Sequence, residues 1–295
     1  LVAAVAAEEA GETSYARCGM LLVAASPDEQ AAYADAERHI LARQTARHAP
    51  AVADLHPVTA DEARDLFPAL GEVYGALYYR HAARVDGRLL GQALLRAAQQ
   101  RGLHLLAGGV DRLAIAGHQV TGVVVGGDTL AAATTIIAGG AWSAAFGDQL
   151  GVRIPVEPQR GQIAHLHLEA APAEAWPIVG AFRGHYIVAW PNGRIAVGAT
   201  RETGSGFQTS TSAAGIHEVL GEALRVAPGL AAAKLLEVRV GLRPLTRDGL
   251  PVLGRVPGWG GCCSPRVTDP PGCSLAPTAA SSWPRWRRGK RPAWI

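Results

Sequence analysis

The chain has 295 residues, 48% hydrophobic and 18% charged, which is enough apolar surface for one large domain or two ordinary ones. The net charge of +3 comes from the end of the chain: residues 260–295 hold six basic groups and one acidic group, whereas residues 1–259 hold 22 basic and 24 acidic groups. Residues 1–259 are therefore almost neutral, which excludes the basic surface expected of a nucleic-acid-binding protein.

Cysteine usage points to a reducing compartment. Three of the four cysteines lie in the last 36 residues, which leaves Cys18 in the body of the chain. This distribution is typical of a cytoplasmic protein and not of a disulfide-stabilised one. The uncharged run 129–147 is long enough to span a membrane. Its centre, "TTIIAGG", is β-branched and ends in paired glycines, which favours a buried strand followed by a turn.

The first part of the chain predicts alternating strands and helices. "CGMLLVAAS" predicts a strand, after which Ser26 caps a helix that has Pro27 at its first position and runs to about His48. "TADEARDLF" predicts a second helix, in which Thr59 and Glu62 have the spacing of a capping box.

From residue 84 the pattern changes to that of a nucleotide-binding unit. "VDGRLLGQALLRAAQQRG" predicts an amphipathic helix that ends at Gly102. Short strands with glycine turns follow, and then the buried strand "TTIIAGGAWS". This order is typical of the later half of a dinucleotide-binding domain, whose opening GxGxxG motif the sequence lacks.

After Gly151 the pattern favours antiparallel strands. "IPVEPQRGQIAHLHL", "GHYIVAWPNGRIAVGAT" and "LLEVRVGLRP" alternate between apolar and polar residues, and the second contains an Asn-Gly hairpin turn. His165 and His167 alternate with leucines along the first of these strands. No third ligand has a suitable spacing, so we expect solvent-facing histidines and no metal site.

Five segments in order carry a family resemblance: "RVDGRLLGQALLRAAQQRG", "TTIIAGGAWS", "IPVEPQRGQ", "HYIVAWPNGRIAVGAT" and "VRVGLRPLTRDGLPVLG". Over about residues 12–259 the chain resembles the flavin-dependent D-amino-acid oxidase family, and within it the glycine oxidase and bacterial amino-acid dehydrogenase branches. The resemblance implies a mixed α/β (α+β) fold, with an incomplete FAD-binding Rossmann-like domain and an antiparallel-sheet substrate domain. Residues 1–83 and 151–240 would form the substrate domain, 84–150 the later half of the FAD-binding domain, and 241–259 a return to it.

The resemblance also implies the residues of the site. Arg243 in "GLRP" matches the arginine that binds the substrate carboxylate through two parallel hydrogen bonds. Tyr186 matches a tyrosine whose hydroxyl reaches the same carboxylate, and His185 is its neighbour. A structural arginine and a half-buried strand tyrosine are the alternatives. The residues that match cofactor-binding positions are Val110, near the adenine, and Gly139, Gly140, Ala141, Trp142 and Ser143, against the flavin.

The implied reaction is FAD-dependent oxidation of the Cα–N bond of a small amino acid to an imino acid, by hydride transfer to the flavin. The substrate would be a D-amino acid, glycine or an N-alkyl glycine, and oxygen or a respiratory acceptor would reoxidise the flavin. Ala189, Trp190 and Pro191 stand where several family members have Pro-Arg, which leaves the side-chain pocket undefined. Membrane association and the oligomeric state stay open.

Both ends of the chain depart from the family pattern. The chain starts at Leu1 without methionine and lacks the family's "GGGIxG" phosphate loop, so we expect an N-terminal truncation. After Trp259, a one-base change of reading frame allows "LLLAAGHGPSGL" in place of "CCSPRVTDPPGC", and the family has Gly-His-x-x-x-Gly-Leu there. We therefore expect residues 260–295 to be a frameshifted, disordered tail. The alternative function is an inactive remnant that no longer binds FAD.

Overall fold

A computed structural model describes residues 10–169, 173–250 and 252–264. The strands are β1 (Ala16–Arg17), β2 (Met20–Ala24), β3 (Leu55–Val58), β4 (Gly75–Tyr79), β5 (Ala83–Arg84), β6 (Arg112–Ala116), β7 (Gln119–Val125), β8 (Asp128–Ala131), β9 (Thr135–Ile136), β10 (Val156–His167), β11 (Ile178–Ala181), β12 (Tyr186–Ala189), β13 (Arg194–Gly198), β14 (Glu202–Thr203), β15 (Lys234–Thr246), β16 (Gly254–Arg255) and β17 (Cys262–Ser264). The helices are α1 (Gln30–Arg47), α2 (Ala60–Leu66), α3 (Gly87–Gln100), α4 (Gly147–Leu150) and α5 (Ala213–Val226).

Capping side chains mark the starts of α2 and α3. Thr59 and Glu62 form the capping box of α2: Thr59 Oγ1 accepts from Glu62 N at 3.2 Å, and Glu62 Oε2 accepts from Thr59 N at 2.7 Å. Asp86 caps α3 by accepting from the backbone N–H groups of Arg88 and Leu89. Ser26, expected to cap the first helix, makes no side-chain cap hydrogen bond, and the 3₁₀ turn Pro27–Glu29 separates it from α1.

The largest element is a nine-stranded sheet in the order β14-β10-β13-β12-β11-β2-β4-β3, with β15 paired to β10 as well. β2 and β11 run parallel, and the other pairs are antiparallel. One face of the sheet is covered by α2 and α5 in a continuous hydrophobic core. The mixed α/β fold expected from the sequence is confirmed.

Two smaller sheets form the part of the chain that was expected to bind the cofactor. β6, β7 and β8 form an antiparallel meander, and β9 lies parallel to β17. Their shared core includes Leu113, Val120 and Ile137. Within the described residues no helix is both long and apolar enough to cross a bilayer, and the uncharged run 129–147 contains the end of β8, β9 and a short helical segment.

The end of the described chain bears on two expected boundaries. β15 stays paired with β10 as far as Thr246, and β16 then joins a smaller sheet with β17 and β9; the domain boundary expected at residue 241 stays a prediction. The first residues of the expected tail take part in this smaller sheet. The backbone of Gly260 and Gly261 accepts hydrogen bonds from Val120 N at 3.0 Å and Thr135 N at 2.8 Å, which leads the chain into β17. The rest of that tail, 265–295, lies outside the described residues.

The core of the large sheet predicts a sharp contrast between two phenylalanines. Phe67 is fully buried, with its ring centroid 4.6 Å from that of Trp176, whereas Phe207 is 51% exposed. We expect Phe67→Ala to lower the free energy of unfolding by about 3–5 kcal/mol, since it removes buried area and leaves a cavity. The same change at Phe207 is the control, with a cost of less than about 1 kcal/mol. If Phe67→Ala and Phe207→Ala lower the free energy of unfolding in urea equally, burial of Phe67 in this core does not stabilise the fold.

Candidate active site

β10 divides its side chains between two environments. Gln162 points towards α5, where a Cβ added to Gly215 would lie 2.0 Å from Gln162 Nε2, and Ala164 belongs to the core on that side. Because side chains alternate along a strand, Gly161 and Ile163 face the other way. The face that carries them is therefore the one turned away from α5.

Arg243 lies on this face, directly over Gly161. A Cβ added to Gly161 would be 2.5 Å from Arg243 Nη1 and 2.6 Å from Cζ, so the guanidinium occupies the space that a side chain would need. Nη1 also donates to the carbonyl of Thr200 at 2.8 Å. A glycine at position 161 and a carbonyl at position 200 thus fix the plane of the arginine head group.

Tyr186 shares the face with Arg243. It pairs with Gly198, which in turn pairs with Ile163, and a Cβ added to Gly198 would lie 3.2 Å from the Tyr186 hydroxyl. Burial raises the pKa of Tyr186, and the charges of Arg243 and Arg201 oppose that rise only in part. The phenol is therefore protonated at neutral pH and can donate a hydrogen bond.

A polar network on the opposite face supports the Thr200 carbonyl. Thr200 Oγ1 accepts from Gln162 N at 2.9 Å and donates to Glu202 Oε1 at 2.7 Å. Gln162 Nε2 donates to the same carboxylate oxygen at 2.7 Å, and Arg160 contacts Oε2 through Nε at 3.0 Å and Nη2 at 2.5 Å.

The network settles the charge state of Glu202. Burial raises its pKa, but hydrogen bonds from Arg160, Gln162 and Thr200 outweigh burial and hold the pKa below its usual value. An ionised carboxylate therefore ties β10 to the segment that carries the Thr200 carbonyl.

His185 is placed in a different set of contacts. Its Nε2 lies 3.2 Å from Glu218 Oε1 on α5, and its Nδ1 lies 3.2 Å from the carbonyl of Arg183. These contacts hold the ring against the helix side of the hairpin. The structure therefore brings Arg243 and Tyr186 together and gives His185 a position that stabilises the contact between hairpin and helix.

The turn after β9 contains the residues expected to meet the cofactor. Gly140 has a φ of +53°, and no atom lies within 4 Å of the position that a Cβ there would take. Ser143 is fully buried, and its Oγ has no hydrogen-bond partner among the described residues. An open glycine backbone next to an unsatisfied hydroxyl fits a flat polar ring such as a flavin.

The other expected cofactor positions lie around this turn. Ala141 is buried, and Trp142 is 55% exposed, with its ring centroid 5.4 Å from that of Phe207. Val110 packs on the core of the smaller sheets. With Gly139, these are the residues that would hold FAD, and their roles stay predictions.

Two features of the site were missed or misjudged from the sequence. His165 is 6% exposed, not solvent-facing, and its Nδ1 has no partner within the described residues. Trp190 is also buried and lies between the guanidinium groups of Arg84 and Arg194, at 5.5 Å and 4.9 Å from its ring centroid. Both distances are within the range of a cation–π contact.

Comparison with known proteins identifies relatives over most of the chain. The model of the DAO family, FAD dependent oxidoreductases, matches residues 1–277. An uncharacterised oxidoreductase of Bacillus subtilis, YurR, is 37% identical over 244 residues, which is 82% of this chain and 65% of the relative. Glycine oxidase of Geobacillus kaustophilus is 32% identical over 205 residues, 68% of this chain and 53% of the relative.

A solved structure agrees with these matches. Iminodiacetate oxidase from Chelativorans sp. BNC1 superposes with a TM-score of 0.83 at 37% identity, over 90% of this chain and 70% of that one. The chain spans about two thirds of YurR and about half of the glycine oxidase in length.

The contact between Arg243 and Gly161 predicts that an added methyl group matters at Gly161 and not at Gly241, with which it pairs. Gly161 pairs with Gly241 across β10 and β15, but a Cβ on Gly241 would have no atom within 4 Å. Gly161→Ala should displace the guanidinium, which removes a cation from beside Tyr186 and raises the pKa of that phenol further. Gly241→Ala is the control and should leave the pKa where it is.

Ultraviolet difference titration, with Tyr186→Phe as the blank, measures this pKa. A Tyr186 pKa that is the same in both glycine variants and in the unsubstituted protein would show that Gly161 does not position Arg243.

Proposed function

Because the chain belongs to the DAO family of FAD-dependent oxidoreductases, we propose that it oxidises the Cα–N bond of a small amino acid whose carboxylate is bound by Arg243 and Tyr186. One observation supports the proposal: the Arg243 guanidinium over Gly161 and the Tyr186 phenol lie on the same face of the sheet, the one turned away from α5. Both groups are donors that suit a carboxylate.

The residues of this chain bind and orient the substrate. A guanidinium has five N–H donors in one plane, so the hydrogen bond from Nη1 to Thr200 is compatible with two parallel bonds to a carboxylate. Tyr186 donates a further hydrogen bond to the same group. Fixing the carboxylate restricts the orientation of the neighbouring Cα–N bond, which is a large part of the advantage of a bound reaction.

FAD, when bound, supplies the two-electron oxidation that converts the amino acid to an imino acid. Water then hydrolyses the imino acid to a keto acid and an amine. The backbone of Gly139 and Gly140, with Ala141, Trp142, Ser143 and Val110, would hold the cofactor. Oxygen or a respiratory acceptor would take the electrons, and the distribution of cysteines supports a cytoplasmic location.

The relatives support a glycine-like substrate. Glycine oxidase and iminodiacetate oxidase both act, by name, on glycine or on glycine with a substituent on nitrogen. We therefore propose glycine, an N-substituted glycine or a small D-amino acid as the substrate.

Removal of the Arg243 guanidinium should lower the catalytic efficiency towards amino acids. In protein reconstituted with FAD, Arg243→Ala should lower kcat/KM for glycine and N-methylglycine by about 2–5 kcal/mol of transition-state stabilisation, because a charged partner is lost. Arg247→Ala, at an exposed position just after β15, is the control and should have little effect. Amines without a carboxylate should lose little on Arg243→Ala. If the apparent affinity for the amino acids is the same in Arg243→Ala and the parent, the arginine is structural.

Measurement of FAD binding and turnover distinguishes an active oxidoreductase from the alternative, an inactive remnant that no longer binds FAD. Because the sequence lacks the family's phosphate loop, we expect FAD to bind weakly; with FAD in excess, the protein should still oxidise at least one of the proposed substrates. Protein that binds no flavin and shows no turnover would instead support the inactive alternative.

A further inference from the structure

β3 and β15 are edge strands of the large sheet and differ in length. β3 has four residues, one of which is Pro57, and a short edge that contains proline resists the addition of a further strand. β15 has 13 residues and pairs only with β10 in the part of the chain that the structure describes. Its first part, residues 234–241, contains no proline, and we call it the free edge. A long strand edge of this kind is a template for another strand.

The free edge exposes apolar side chains. Leu235 is 49% exposed and Leu236 is 56% exposed, and the two residues are adjacent in the strand. Val238 and Val240 are half-buried. Apolar side chains along an exposed strand edge are typical of a surface that binds another strand.

The backbone of the free edge has hydrogen-bonding groups that face away from β10. Gln162 on β10 donates its N–H to Thr200 Oγ1 at 2.9 Å, and its carbonyl accepts from Thr200 N at 3.3 Å. Thr200 follows β13, on the side of β10 opposite to β15, so Gln162 and its cross-strand neighbour Val240 form a non-hydrogen-bonded pair. Val240 therefore turns its N–H and carbonyl towards the free edge, and by alternation Val238 does the same. Pro244, which has no N–H, lies in the same phase, as an edge position allows.

The charges along the free edge are self-complementary. Glu237 and Arg239 contact each other within one chain, and their side chains remain 46% and 25% exposed. If two copies of the strand pair antiparallel about Val238, Glu237 of each copy lies opposite the partner's Arg239. The same register places Leu236 opposite the partner's Val240, so apolar residues also face each other. A register centred on Arg239 would instead place two arginines opposite each other, which is unfavourable.

We propose that the free edge of β15 pairs with the same edge of a second copy of this chain, so that two large sheets form one continuous sheet. The partner is a second copy because one antiparallel register satisfies both the charges and the apolar residues of two identical strands, and a two-fold axis repeats each contact. In that register Val238 faces the partner's Val238, and the outward backbone groups of both strands can bond to each other. The inference concerns assembly and is independent of the proposed function.

Charge exchange between copies tests the pairing. Glu237→Arg should place arginines opposite each other, and Arg239→Glu should place carboxylates opposite each other. Each variant alone should therefore dimerise at least about tenfold more weakly than the unsubstituted chain. An equimolar mixture of the two variants restores opposite charges between copies and should form a mixed dimer. Sedimentation equilibrium of the full chain, which has a mass of 30.7 kDa, measures these associations.

The mixture distinguishes contacts between copies from contacts within one copy. Glu237 and Arg239 also bind each other in the same chain, and mixing two variants cannot repair the loss of that contact. Dimers that form in the mixture, at a concentration at which each variant alone is monomeric, therefore require pairing between chains.

Leu236→Lys and Leu224→Lys are a matched pair of variants that leave both charged residues in place. Both leucines are exposed, at 56% and 39%, but Leu236 lies on the free edge and Leu224 lies on α5. Leu236→Lys should weaken dimerisation at least about tenfold, because an apolar cross-strand contact is lost twice in each dimer. Leu224→Lys should leave dimerisation unchanged.

Two kinds of result overturn the proposal. The first is an unsubstituted chain that stays monomeric over the whole concentration range of the measurement. The second is a dimer that neither the charge variants nor Leu236→Lys weaken, or a mixture of the charge variants that stays monomeric, since either result places the interface elsewhere than on the free edge.

Discussion

The seat of Arg243 on Gly161 is the contact on which the rest of the candidate site depends. The guanidinium takes up the volume above the glycine backbone, with Nη1 only 2.5 Å from where a Cβ would be, so no other residue type fits there without movement. The hydrogen bond to the Thr200 carbonyl then fixes the rotation of the head group. Close approach to a glycine backbone and one oriented acceptor together turn a flexible side chain into a rigid, forked donor.

The two faces of the large sheet differ in what they carry: one packs into the hydrophobic core, and the other carries the candidate site. On the α5 side, alternate residues of β10 enter the hydrophobic core, and Gln162 and Arg160 hold the carboxylate of Glu202. On the other side, the residues between them leave room for Arg243 and Tyr186. Thr200 joins the two faces, because its hydroxyl belongs to the Glu202 network while its carbonyl orients Arg243. The candidate site is thus supported by the Glu202 network, which lies on the opposite face of the sheet from Arg243 and Tyr186.

Much of the fold could be predicted because its signals are local. The capping box of α2 and the position of α3 follow from residues a few positions apart. Tyr186 and Arg243 were assigned through the family resemblance, but the contact of Arg243 with Gly161 depends on strand register and its hydrogen bond to Thr200 on the loop between β13 and β14, and no short motif encodes either. The same holds for the burial of His165, since alternation along β10 shows which residues share a face and not which face is covered. The extension of β15 to Thr246 was missed because its partner, Val156 on β10, lies ninety residues earlier in the chain.

The central claim is that Arg243 and Tyr186 bind one carboxylate on the face of the sheet turned away from α5. A crystal structure of the FAD-reconstituted protein with a non-reactive carboxylate analogue of N-methylglycine tests it most directly. The account predicts both carboxylate oxygens within hydrogen-bond distance of the Arg243 guanidinium, one of them also contacted by the Tyr186 hydroxyl, with the guanidinium still over Gly161 and bonded to Thr200. A carboxylate bound elsewhere, with Arg243 in contact only with protein atoms, would contradict it.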